Sequence, residues 1–339
     1  MNSILRLQIA GLLGALVAST AASAMSNDTA PSNWRFNSAT TFNGVSFDGV
    51  ARIIMDNAFV CSGTLLTGGT HLLTAAHCVD GVSSFDVAFG LNNDVATAQR
   101  GAAQTWVHPF WTGDLSQGTD IAIIELDNPV VGILGFNLDT SSAVGKAVLM
   151  MGYGTTTIGG STTAPNWNDW GHGHWGLNRF DATGNQFLDA ANAMGLPGLG
   201  TWSNVHGEEY VADYDDGSAL RNTLGRITGL TSDTGGQVES MISGGDSGGG
   251  DFVWTGAEWL VTGVHSWGWQ FCGGRLNPNC DFSSRNSSSW GDLMGSTAVY
   301  SHVDWIRSIV DPTPVPEPGS LALLGLGLAG LGFTRRRKA

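Results

Sequence analysis

The chain has 339 residues, of which 13% are charged and 42% hydrophobic, and a formal net charge of −14 at pH 7. Five of its 15 basic side chains, Arg6, Arg335, Arg336, Arg337 and Lys338, sit at the two ends; setting them aside leaves ten against 29 acidic ones, a balance of −19. Such a chain is a poor partner for nucleic acid or anionic lipid. Lysine occurs only at 146 and 338, while Gly, Ser and Thr abound, which favours a β-rich, loop-rich fold over a helical one.

Residues 1–24 read as a signal peptide. Arg6 precedes an apolar run from Ile9 to Val17, and Ala22-Ser23-Ala24 suits signal-peptidase cleavage before Met25. The run is too short to cross a bilayer comfortably. Residues 25–44 are then an N-terminal segment or propeptide. Export to an oxidising compartment makes the four cysteines, Cys61, Cys78, Cys272 and Cys280, candidates for two disulfides. Three connectivities are open, and local pairing, Cys61–Cys78 and Cys272–Cys280, is the expected one. Zinc is not expected, because close Cys-x-x-Cys spacing is missing.

From Val45 to Tyr153 the chain reads as short strands separated by turns. Strands are predicted at Val50–Met55, Phe59–Leu66, His71–Thr74, Phe85–Ala88, Ile121–Leu126 and Ala147–Met151. This spacing, without a long 3.6-residue period, points to an all-β sandwich or barrel. Residues from about 155 to 236 break the rhythm and read as a Gly/Trp-rich insertion, with the stretch Asn166–Trp175 at the surface and a short helix from Gln186 to Met194. Within it, His172-Gly173-His174 is too sparse for a metal site and reads as a flexible loop. The run Glu208–Gly217 alternates acidic residues like the start of a calcium loop. It lacks the downstream bidentate Glu at loop spacing, so a solvated surface loop is expected and no metal is assigned. Strand patterning returns near Arg226-Ile227 and at Trp259–Val264, and Val303–Val310 is apolar at helical spacing.

At the far end, Pro314-Val315-Pro316-Glu317-Pro318 leads into an apolar stretch, Leu321–Phe333, and then a basic cluster. This layout over 312–339 resembles the PEP-CTERM sorting signals of Gram-negative bacteria. The resemblance implies transient membrane retention and processing by an exosortase-type enzyme, with the product in the periplasm, at the cell surface or outside. The stretch is short for a permanent transmembrane anchor.

Three boxes carry the chemistry: Leu73-Thr74-Ala75-Ala76-His77-Cys78, Thr119-Asp120-Ile121-Ala122-Ile123-Ile124 and Gly244-Gly245-Asp246-Ser247-Gly248-Gly249. A serine hydroxyl is a weak nucleophile that needs a neighbouring base, and the base needs a carboxylate to fix its tautomer. In this order the boxes resemble the chymotrypsin/trypsin-like serine peptidase family, over residues 45–311. An α/β-hydrolase would run nucleophile, acid, histidine instead. The resemblance implies a two-lobed double six-stranded β-barrel with a C-terminal helix. It also implies a triad of His77, Asp120 and Ser247, an oxyanion hole from the N–H groups of Gly245 and Ser247, and no cofactor. The expected function is an exported serine endopeptidase acting on proteins or peptides. The competing reading is a non-catalytic surface or matrix-associated binding protein on the same fold.

The same resemblance places Met241 at the base of the specificity pocket, Ser266, Trp267 and Gly268 along the substrate edge, and Ala298 on the opposite wall. An apolar base predicts preference for apolar or aromatic side chains, since a basic one would need a buried carboxylate. Three departures from the family stand out. No Ile-Val-Gly-Gly start precedes Cys61, which leaves the partner of Asp246 unknown and suggests an atypical activating cut, for example near Arg35, or none at all. Ser243 replaces the cysteine before the nucleophile, so the pocket floor is expected to be held by packing alone. The insertion is the third.

Overall fold

The computed structural model describes residues 25–161, 165–196, 203–219, 221–230, 239–269 and 288–311. The signal peptide, the pair Cys272 and Cys280, and the sorting signal lie outside the described residues. The chain divides into two compact units at Val303/Asp304.

Short alternating segments pair into two large sheets. The first is built from β1 (Val50–Met55), β2 (Phe59–Leu65), β3 (His71–Thr74), β4 (Phe85–Phe89), β5 (Ala98–Arg100), β6 (Ala102–Val107) and β7 (Ala122–Leu126). Their order is β6-β7-β3-β2-β1-β4-β5, seven strands among the described residues. Asp56 and Asn57, both at positive φ, turn β1 into β2, a conformation Asn and Asp tolerate better than most residues. Val50, Ile53, Leu65, Leu72, Val87, Phe89 and Ile123 are wholly buried and form this lobe's core.

The second sheet contains β8 (Ala147–Gly152), β9 (Gly173–Arg179), β10 (Ala182–Thr183), β11 (Glu209–Asp213), β12 (Gly250–Trp254), β13 (Trp259–Trp269) and β14 (Leu293–Ala298). Its order is β10-β11-β14-β13-β12-β8-β9, with Arg35–Phe36 on the outer edge of β9 and Asn137–Leu138 beside β13. Short edge strands thus take both sheets beyond six. The lobes meet at an aromatic seam: the Phe47 ring lies 5.0 Å from Phe136 and 4.9 Å from Phe252. Edge-to-face and offset contacts of this kind add to the burial itself.

The insertion is more ordered than its composition suggests. Asn166–Trp175 is only partly a surface stretch, because β9 pairs with β8 from Ala147 to Gly152. Trp170 covers the Arg52 guanidinium at 4.3 Å. His174 is buried, with Nε2 2.7 Å from Asp169 Oδ2, so the predicted flexible His-Gly-His loop is instead a packed strand end. Helix α1 (Gly184–Ala193) starts two residues early because Thr183 and Gln186 form a reciprocal capping box. Arg226-Ile227 is not strand: it lies in helix α2 (Thr223–Thr228), capped by Asn222 accepting from Gly225 N–H. The acidic run also departs from expectation, for Glu209, Asp213 and Asp215 are buried. Helix α3 (Val303–Val310) is the predicted C-terminal helix.

Candidate active site

The three boxes fall where strands end and meet between the two sheets. Ala76–Cys78 forms a single tight turn just past β3, and Asp120 lies two residues before β7, which pairs with β3. This pairing sets the carboxylate under the imidazole. Asp120 Oδ2 lies 2.7 Å from His77 Nδ1, and Oδ1 accepts the His77 backbone N–H at 2.9 Å. The second sheet completes the carboxylate's shell: Ser266 Oγ on β13 donates to Asp120 Oδ2 at 2.6 Å, and Thr297 Oγ1 on β14 donates to the Asp120 carbonyl at 3.0 Å.

Asp120 is wholly buried, whereas the His77 side chain remains 28% exposed. Burial disfavours the charged imidazole, but the Asp120 charge and hydrogen bond outweigh it and hold the His77 pKa above the ordinary value. The pair therefore favours a proton on Nδ1 and leaves Nε2 as the free basic nitrogen. Cys61 on β2 is disulfide-bonded to Cys78, fixing the histidine turn to its neighbouring strand.

Ser247 sits on the loop before β12 and is half-buried. Its carbonyl accepts from Ser62 N–H at 2.8 Å, and Ser62 Oγ in turn donates to the Gly245 carbonyl at 2.8 Å while accepting Tyr153 N–H. Gly248, at φ +80°, passes so close to β3 that a Cβ there would stand 2.1 Å from Thr74 Oγ1 and 2.9 Å from Ala75 N. Only glycine fits such an approach, and it draws the Ser247 loop onto the turn that carries His77. Beneath the loop, Gly248 N–H donates to the His265 carbonyl and His265 N–H to the Gly249 carbonyl. The buried His265 ring bridges the Asp246 carbonyl and Asp251 Oδ1, at 3.2 and 3.0 Å. Burial opposes charging of this imidazole too, yet Asp251 and Asp246 raise its pKa above the ordinary value. Ser62, His265 and Asp251 carry no motif of their own, and the sequence reading did not single them out.

The residues expected to line a specificity pocket lie on adjoining segments. Met241 is wholly buried, and a Cβ added at Gly268 would lie 3.2 Å from its terminal methyl, so the thioether abuts the substrate-edge segment. Trp267 packs on Gly295 of β14 and donates from Nε1 to Glu209 Oε1 at 3.1 Å. Register sets Gly295 opposite Trp267 and Met294 opposite Gly268, while Ala298 pairs with Gly263. Glu239 is drawn away from the base and accepts Asp215 N–H. The floor is held by more than packing, since Ser243 Oγ and Ser288 Oγ are hydrogen-bonded at 2.8 Å.

Asp246 is also buried. Oδ1 accepts Gly154 N–H and Oδ2 accepts Ser243 N–H, while burial pushes its pKa upward. Arg35, suggested as an activating cut, is engaged by Asp169 and lies in a strand paired with β9. Upstream of it, Met25 and Ser26 are buried, and Ser26 exchanges backbone hydrogen bonds with Met241 at 2.8 and 3.0 Å.

Comparison with known proteins agrees with this architecture. Residues 39–169 match the family model described as Trypsin, and residues 314–338 match the PEP-CTERM protein-sorting motif. Chymotrypsin-like elastase family member 1 of Canis lupus familiaris is 40% identical over 75 residues, covering 21% of this chain and 29% of that protein. Chymotrypsin-C of Bos taurus is 36% identical over 84 residues, 23% of this chain and 31% of that protein. The chain thus matches about three-tenths of the length of these relatives. The solved structure of HL collagenase superposes with a TM-score of 0.50 at 19% identity, covering 81% of this chain and 96% of that one, which speaks for the fold alone. Residues 39–169 thus resemble the trypsin-like serine peptidases, the partial relatives are chymotrypsin-like, and residues 314–338 match the PEP-CTERM protein-sorting motif.

Proposed function

We propose that the protein is an exported serine endopeptidase in which His77, Asp120 and Ser247 act as the triad. The observation that carries this reading is the buried Asp120 carboxylate, which holds His77 Nδ1 at 2.7 Å while Ser266 braces the same oxygen. In the proposed reaction His77 Nε2 takes the Ser247 hydroxyl proton as Oγ attacks the scissile carbonyl. The resulting oxyanion is held by the N–H groups of Gly245 and Ser247, each such donor being worth about 3–4 kcal/mol in the transition state. The imidazolium, stabilised by Asp120, then returns its proton to the leaving amine and an acyl-Ser247 ester remains. Water, deprotonated by the same nitrogen, hydrolyses the ester and restores the enzyme.

An apolar or aromatic side chain at the cleavage site is the preference the pocket supports. Met241 abuts Gly268, and Glu239 is occupied elsewhere. The sorting motif supports export to the cell envelope or beyond, with signal peptidase and an exosortase-type enzyme as processing partners. Among the described residues no helix is long and apolar enough to cross a membrane.

Hydrolysis of a peptide panel by the purified exported protein tests the reading. Cleavage after Phe, Leu or Met that vanishes in Ser247→Ala supports it. Strict cleavage after Arg or Lys overturns the pocket assignment, and activity surviving in Ser247→Ala overturns the triad.

A further inference from the structure

Four carboxylates from three separate segments converge inside the second lobe: Asp181 between β9 and β10, Asp213 at the end of β11, Asp215 two residues on, and Glu239 after the insertion. All four are at most 5% exposed. One oxygen from each of Asp213, Asp215 and Glu239 lies within 4.8 Å of the others. The electrostatic neighbours of Asp181 include Asp213 and Glu239.

Backbone amides aim these groups. Leu224 N–H donates to Asp213 Oδ2 at 2.8 Å, Asp215 N–H to Glu239 Oε2 at 3.0 Å, Gly217 N–H to Asp215 Oδ1 at 2.6 Å, and Asp213 N–H to Asp181 Oδ2 at 3.4 Å. That leaves Asp181 Oδ1 and Asp213 Oδ1 buried with no donor from outside the cluster, and between these two carboxyls only a shared proton can stand in for one. Neither Asp181 nor Asp213 has a Lys, Arg or His ion-pair partner among the described residues. Buried anionic oxygens left without a counter-charge are costly, and a bound cation removes that cost.

We infer that Asp181, Asp213, Asp215 and Glu239 form a buried site for one calcium ion. The donor set is all oxygen, which selects a hard cation over zinc or copper. Calcium–oxygen bonds of about 2.3–2.6 Å let a single ion bridge oxygens as far apart as about 4.8 Å. Magnesium, with its shorter bonds and tightly held waters, is the poorer fit. The site ties the insertion to the segment leading to Met241, because Glu239 precedes that residue by two positions. Glu239 also supplies the downstream carboxylate that the linear acidic run lacks, near in space rather than at fixed spacing.

The test uses the full purified protein and reads metal, not peptidase activity. Elemental analysis should find one calcium per chain. Chelation with EDTA should lower the Tm by about 5–10 °C, calcium chloride should restore it, and the same concentration of magnesium chloride should not. Asp213→Asn and Glu239→Gln should each abolish the calcium-dependent shift, while Asp216→Asn, an exposed neighbour, should keep it. No bound calcium together with no calcium-dependent shift in the wild type would show that the carboxylates share protons instead, and would overturn the site. A shift that survives in both Asp213→Asn and Glu239→Gln would overturn it equally.

Discussion

Replacing Asp120 by Asn removes one charge while keeping the shape, and its effect can be worked out from three contacts. Asp120 Oδ1 accepts His77 N–H at 2.9 Å, and Oδ2 accepts both His77 Nδ1–H at 2.7 Å and Ser266 Oγ–H at 2.6 Å. An amide offers one oxygen and one NH2. With its oxygen at the Oδ2 position, the NH2 faces the backbone N–H of His77, and this buried donor–donor clash costs about 1–3 kcal/mol. With its oxygen at the Oδ1 position, the backbone is satisfied and Ser266 rotates to accept, but the NH2 now donates to Nδ1. The second arrangement wins, and it forces the imidazole proton onto Nε2, where the base must be free. Loss of the correct tautomer costs roughly 10⁴ in kcat, or about 5.5 kcal/mol. The assay is kcat/KM on an apolar peptide p-nitroanilide at neutral pH, alongside a pH profile. In the wild type the raised His77 pKa means that activity falls as pH drops through it, starting above the ordinary histidine value. Activity of Asp120→Asn within tenfold of wild type would refute the reasoning.

Other consequences follow from the same coordinates. Opening Cys61–Cys78, whose partners are 17 residues apart, by the double substitution to Ala should cost about 3 kcal/mol of stability by the loop-entropy account, measurable by urea unfolding. His302 is buried with Nε2 2.8 Å from the Gly118 carbonyl, and its pKa is lowered to about 4, first by burial and then by the neighbouring His108. The unfolded chain therefore takes up this proton near pH 6.5 and the folded one only near 4. The contribution is present above pH 6.5 and lost as pH falls to about 4, amounting to about 3 kcal/mol; His302→Gln should flatten that part of the stability–pH curve. N-terminal sequencing of active protein should return Met25 rather than a residue after Arg35, because Met25 and Ser26 are buried and Ser26 is bridged to Met241 through the backbone.

How much of this was legible in the sequence depends on how tightly chemistry confines residue type. His77, Asp120 and Ser247 stood out as candidates because a hydroxyl nucleophile admits few partners, and their boxes sit near strand ends that alternation already marked. The strands around them read correctly for the same reason: Val50–Met55 and Ala122–Leu126 carry dense apolar runs. The strands of the insertion did not read, because polar residues stand among their buried positions. Asn178 on β9 is wholly buried yet donates to the Asp213 and Ser240 carbonyls, so hydropathy gives no strand signal there. The acidic run looked solvated because exposure of Asp216 is indistinguishable, in one dimension, from burial of Asp215. The helix at Thr223–Thr228 was hidden by Ile227, whose β-branching suggested strand, although Asn222 three residues before Gly225 is a cap signal. The Ser243–Ser288 hydrogen bond joins positions 45 residues apart, and no local pattern announces such a pair.

The central claim is that Ser247 is an activated nucleophile. Incubating the exported protein with a fluorophosphonate probe and mapping the modified peptide by mass spectrometry tests it most directly. The account predicts stoichiometric labelling at Ser247 that is lost in Ser247→Ala and strongly slowed in Asp120→Asn. Correctly processed, folded protein that takes up no label, or takes it up at another serine, would contradict it.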